Sequence, residues 1–226
     1  LLSVGYGFAC LFVIGWLWAA LAGFSASLPA LLDRDRLTGL YGPLVLVFLA
    51  WIGQELVLTR LGPESRAGLD WYDTDWLGAS TALAAGVVWI VVRRRVEFGS
   101  SLVIHAALGW WVGFGLLVLA LGLRMTPPRG DNWAGCLGMA VGLIRFCKRW
   151  KLPESLRAMF LLGIIGGVGF SCGQMIKLVG IATGQQTNWH SVLEQTYGLI
   201  NGLGVGWIFL RLRRVAPLVT DEPPER

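Results

Sequence analysis

The chain is divided into long apolar windows separated by short charged segments, and about 20 apolar residues is what a helix needs to cross the ~30 Å hydrocarbon of a bilayer. Seven windows of this kind occur, over residues 3–24, 38–60, 76–92, 101–123, 132–147, 157–182 and 189–210, the third and fifth being short. In lipid every backbone polar group must be satisfied within its own segment, so the windows predict helices. The fold expected is all-α: a polytopic transmembrane helix bundle of about seven spans, a single transmembrane domain over residues 1–215, with a polar tail at 216–226. Composition excludes the competing classes. Hydrophobic residues make up 55% and charged residues 15%, against about 25% charged in an ordinary soluble domain, which rules out a water-exposed globule and disorder. Glycine is abundant, 31 residues, but without a three-residue period and with only 9 prolines. Collagen and flexible linkers are therefore out, and glycine takes the role of letting helices approach closely where lipid offers no hydrophobic drive for association.

The net charge of +5 would suggest nucleic acid in a soluble chain; beside membrane spans, basic residues chiefly set orientation. No nucleic-acid partner is expected, and the bilayer itself is the first partner. Arg34 and Arg36 follow the first window, Arg93, Arg94 and Arg95 the third, and Arg211, Arg213 and Arg214 the last. Arg145, Lys148, Arg149, Lys151 and Arg157 lie around the loop after the fifth. The alternate loops hold only Arg60, Arg66, Arg124 and Arg129, the first of them acidic through Glu64, Asp70, Asp73 and Asp75. The positive-inside rule then puts the N-terminus outside and the C-terminal tail in the cytoplasm, as in a multi-pass protein of a bacterial inner membrane. Trp71, Trp76, Trp133 and Trp189 fall at outer ends and Trp89, Trp150 and Trp207 near inner ones, as in interfacial belts. A competing reading of the first window is a signal peptide, with Ser25-Ala26-Ser27 resembling a cleavage site; no basic segment precedes it. Cys10, Cys136, Cys147 and Cys172 show no CxxC spacing and read as small hydrophobes, so neither metal nor cofactor is expected.

At an offset of 118 the chain overlies itself: Trp71 on Trp189, Gly86 on Gly204, Val87 on Val205, Trp89 on Trp207, Ile90 on Ile208, Arg93 on Arg211 and Arg95 on Arg213. Two residues of slack bring Gly53-Gln54 onto Gly173-Gln174. Shared composition is the alternative explanation. A true duplication would relate residues 1–97 to 131–215 in the same orientation, with 101–123 as the linker helix. Parallel repeats about an axis along the membrane normal are a transporter construction. The three-plus-one-plus-three layout resembles the SWEET sugar transporters in topology alone. Where those carry Pro-Gln this chain has Gly-Gln, and the resemblance assigns no residue a role.

Glycines four apart (Gly163 and Gly167, Gly169 and Gly173; Gly198, Gly202 and Gly206; Gly109 and Gly113) predict flat stripes for helix packing, within the chain or onto a second copy or a partner membrane subunit. Ionisable groups inside spans are better clues to function, because each is expensive in lipid. His190, Glu194, Tyr197 and Asn201 fall at i, i+4, i+7 and i+11, on one helical face. Gln174 and Lys177 lie on the sixth helix, and Gln54 and Glu55 on the second, at similar depth. Arg124, Arg129 and Asp131 come from the RMTPPRGDNW loop on the same side. Together these ten residues, Tyr197 aside, define an expected outward-facing polar vestibule that binds substrate. Plainer roles exist for several: Asp131 as an N-cap, Lys177 snorkelling, and Lys177 with Glu194 as a structural pair. His105, without an acidic or histidine partner within a turn, reads as core.

Gly78-Ala79-Ser80-Thr81 with His105 invites comparison with rhomboid proteases, but Thr81 stands where their motif has Gly, and Ser80 and His105 belong near opposite membrane faces. No HExxH, Walker loop or strand-linked GxGxxG occurs. The reading expected is a transporter or transporter-like module for a small polar or anionic solute. Arg124, Arg129 and Lys177 would attract negative charge, and Glu194 with His190 would couple protons. Two alternatives stay open: a membrane-embedded enzyme on a lipid-linked or periplasmic substrate, with catalytic residues unknown, and a non-catalytic scaffold.

Overall fold

A computed structural model describes residues 2–60, 75–123 and 132–215. Among these there are seven helices and no strand: α1 (Leu2–Leu31), α2 (Arg34–Arg60), α3 (Asp75–Arg93), α4 (Phe98–Phe114, continued by a π-helical segment Gly115–Ala120), α5 (Asn132–Arg149), α6 (Pro153–Ala182) and α7 (Trp189–Val215). Each coincides with one expected window, though α1 runs on to Leu31 through Pro29. Five segments, Phe8–Leu31, Arg34–Arg60, Trp76–Arg93, Phe98–Ala120 and Pro153–Ala182, have the length and apolarity to cross a membrane, and they mark a membrane protein. The other two helices are less apolar: α5 has 18 residues and ends in Arg145, Lys148 and Arg149, and α7 carries His190, Glu194 and Asn201.

The helices form two compact units. One holds α1, α6 and α7; the other holds α2 to α5. In the first, α1 and α6 touch backbone to backbone. A Cβ at Gly15 would stand 2.6 Å from the Gly166 carbonyl oxygen, and one at Gly23 2.6 Å from that of Ala158. Trp16 and Phe12 lie over Gly163 and Gly167 of α6. Ser27 Oγ is 2.7 Å from both the Phe24 carbonyl and Ser155 Oγ, all buried. With one proton per hydroxyl, Ser27 donates to the carbonyl and Ser155 donates to Ser27. Within the Ser25-Ala26-Ser27 segment, Ser27 is buried against α6 while Ser25 is exposed and bonds to the Leu21 carbonyl of its own helix. Ala19, Ala158 and Leu162 meet Ile208 and Leu212 of α7 in the core of this unit.

In the second unit α4 is central. Gly109 and Gly113 abut Gly138 of α5, and Trp110 covers Gly135. Trp76 and Trp133 turn inward against Trp110, Phe114, Val118 and Ala134, a packing role where an interfacial belt was expected. Trp110 and Phe114 stack at 5.0 Å. Val47, Ala85 and Val103 join α2, α3 and α4. At the end of α4 the Leu121 amide donates to the Leu116 carbonyl at 3.1 Å, the i to i+5 bond of a π-turn.

The glycine stripes divide. Those of α4 and α6 are helix contacts, as expected. A Cβ at Gly198, Gly202 or Gly206 of α7 would meet nothing within 4 Å, which corrects the expected packing role of that stripe within the described chain. The reason is rotational: α7 uses the opposite face, with Leu193, Gly204, Ile208 and Leu212 buried.

Candidate functional site

The expected site residues fall in three groups. Arg124, Arg129 and Asp131 lie outside the described residues, as do Trp71, the acidic 61–74 segment and the 216–226 tail.

Gln54 and Glu55 stand on the last turns of α2 in the second unit. Thr81 Oγ1 of α3 donates to Gln54 Oε1 at 2.6 Å, and Trp51 Nε1 donates to the Gly78 carbonyl at 3.0 Å. Two successive turns of α2 are thereby fixed to α3. Beside them opens a cavity of about 520 Å³, walled by Trp51, Gly78, Ala79, Trp110 and Met139, with Gln54 and Glu55 on its rim. Glu55 is exposed and has no ion-pair partner among the described residues. Among the described residues the Gln54 amide nitrogen has no acceptor, and it stands next to a carboxylate that accepts.

Gln174, Lys177, His190, Glu194 and Asn201 belong to the first unit. His190 Nε2 and Glu194 Oε1 are 3.3 Å apart, with side chains 64% and 65% exposed. Lys177 is half-buried and pairs with neither of them among the described residues. Tyr197 and Asn201 continue the same helical face but are covered. The Tyr197 hydroxyl donates to the Gly15 carbonyl of α1 at 3.5 Å, its ring meets Phe170 edge-on at 5.1 Å, and Asn201 Oδ1 is buried without a hydrogen-bond partner among the described residues. The face is continuous, but its cover is not: His190 and Glu194 on the first turns are exposed, whereas Tyr197 and Asn201 are half-buried.

Ser80 Oγ donates to the Trp76 carbonyl at 2.8 Å, and His105 Nδ1 lies 2.7 Å from the Ser101 carbonyl. Both side chains bond within their own helices, so the rhomboid comparison has no geometric support.

Three features of the structure lie outside the expectations drawn from the sequence. Thr81 registered only as a departure from the rhomboid motif, although it is the partner of Gln54. Arg145 and Arg149, assigned to orientation, line a groove with His105; their i, i+4 spacing was the available signal. Glu97 gathers the α3–α4 turn: Trp89 Nε1 donates to it at 2.8 Å, Arg95 Nε at 2.6 Å and Arg93 Nε at 3.3 Å. These donors, Trp89 foremost, hold its carboxyl below the usual range despite partial burial. Comparison of the chain with protein-family models, with curated proteins and with solved structures gives no match.

Proposed function

We propose that this chain is a transporter-like integral membrane protein that moves a small polar solute. All seven helices would span a bacterial inner membrane, with the N-terminus outside and the tail in the cytoplasm. The observation that carries the reading is the Gln54–Glu55 rim. A carboxylate in a membrane-spanning helix is costly and so marks a functional position, and this one borders a cavity large enough for a metabolite. The tether from Thr81 fixes the amide orientation, which is what a site that recognises hydroxyl or amino groups requires.

The apolar walls and the single carboxylate favour a neutral or weakly cationic solute at this cavity. The anionic alternative draws on Lys177, Arg124 and Arg129. Gln174, the repeat counterpart of Gln54, would make an equivalent contact in the other unit if the duplicated layout of 1–97 and 131–215 is real. A second reading, a membrane-embedded enzyme, draws on the His190–Glu194 pair as a water-accessible acid and base.

Proteoliposomes given a panel of labelled sugars, amino acids and small carboxylates test the proposal. The intact protein is expected to accumulate at least one solute, and Glu55→Gln and Gln54→Leu are each expected to lower its uptake roughly tenfold, as for a lost hydrogen bond to a charged or buried partner. Unchanged uptake in both variants would refute the assignment of this rim. Lys177→Ala and Glu194→Gln distinguish the anionic, proton-coupled version, which they alone would abolish.

A further inference from the structure

The second unit holds a larger groove, of about 680 Å³, between α4 and α5. Its floor is the line along which glycines bring the two backbones together, Gly109 and Gly113 against Gly138, and Gly142 against the His105 carbonyl. With no side chains on the floor, the flanking residues form walls. Leu108, Val112, Leu116 and Val141 line the groove and are all exposed. From Ile104 to Leu117 it follows α4 for about 20 Å at 1.5 Å per residue, enough to run the ~15 Å hydrocarbon depth of one leaflet.

One end is cationic. Arg145 and Arg149, a turn apart on α5, line it together with His105. Neither arginine has an ion-pair partner among the described residues. The His105 ring is held by the Ser101 carbonyl through Nδ1, which leaves Nε2 for another partner.

We propose that this groove binds one anionic phospholipid, with an acyl chain in the trough and the phosphate on Arg145 and Arg149. Arginine forks suit phosphate oxygens, and the charge at one end of an otherwise apolar trough matches a single-headed amphiphile. A water-soluble phosphate would leave the apolar walls unfilled. A zwitterionic lipid would bring a second positive charge towards the arginines. The inference requires only a bilayer around α4 and α5 and is independent of the solute proposed above.

Native mass spectrometry of the full chain in detergent, titrated with dioleoyl phosphatidylglycerol or dioleoyl phosphatidylcholine, tests it. Phosphatidylglycerol is expected to bind the more tightly. At about fivefold per basic residue near a phosphate, Arg145→Gln with Arg149→Gln is expected to weaken it about thirtyfold. Val112→Trp, which fills the trough and keeps both arginines, is expected to weaken it as well. The control, Arg211→Gln with Arg213→Gln at the end of α7, is expected to leave it unchanged. Equal binding of the two lipids, an equal loss in the control, or competition by glycerol phosphate would each overturn the proposal. So would a dimer that Val112→Trp dissolves while phosphatidylglycerol binding persists, since the occupant would then be a second copy of the chain.

Discussion

At the scale of single residues, Glu97 bears on stability most directly. Its side chain is 14% exposed and closes a capping box with Ser100 at the start of α4, while the chain reverses through Arg94 at φ 51°. The partners come from both sides of the turn, so the carboxylate joins α3 to α4. Because those hydrogen bonds hold the charged form, its folded pKa is depressed. The stabilisation is therefore fully present above the ordinary carboxylate range and is lost as pH falls through the depressed value. Glu97→Gln is expected to destabilise the protein by about 1.5–3 kcal/mol at neutral pH, as for hydrogen bonds to a charged group. The difference from the unchanged protein should shrink as acid protonates Glu97, which thermal unfolding in detergent across pH measures. Glu97→Ala, which also strips the Trp89 indole of its acceptor, should cost more. None of this was legible in the sequence, where Glu97 is one charge after three arginines. The Trp89 hydrogen bond forms only once the left-handed turn at Arg94 folds the helices together.

At the scale of helices, the sequence was most informative, because span length and apolarity act locally and α1 to α7 each fall on an apolar window. What it did not contain was which glycine face meets a neighbour. The four-residue spacing is identical in α6 and α7, yet only rotation about the helix axis decides whether the stripe is covered. The contrast yields a paired prediction. Gly138→Ala places a methyl against the backbone at Gly109 and Gly113, neither of which can yield as a side chain would, so it is expected to destabilise by about 1–3 kcal/mol as overpacking does. Gly202→Ala meets nothing within 4 Å and gains helix propensity of up to about 1 kcal/mol, so it should be neutral or stabilising. Unfolding of the two variants in mixed micelles, followed by circular dichroism, checks the order. If Gly202→Ala proved the more damaging, α7 would have to pack through its glycine face.

At the scale of the whole molecule, Gln54 and Glu55 belong to one compact unit and Gln174, Lys177, His190, Glu194 and Asn201 to the other. Helical periodicity relates residues on one helix but carries no information on which helices assemble, and α1 joins α6 and α7, far along the chain. Orientation is a property at this same scale, and it turns on α5, a helix of 18 residues that lies outside the five clear spans. The positive-inside arrangement requires α4, α5 and α6 all to cross, which puts the α3–α4 turn and the α6–α7 loop on opposite sides of the membrane. Single cysteines at the exposed positions Val96 and Gln186, in a background with the four native cysteines replaced, read this directly. A membrane-impermeant maleimide is expected to label Gln186→Cys in intact cells and Val96→Cys only after permeabilisation. The reverse pattern would invert the orientation. Labelling of both from one side would mean that α5 lies along the membrane without crossing it, and the parallel repeat, which needs α5 to retrace α1, would fall with it.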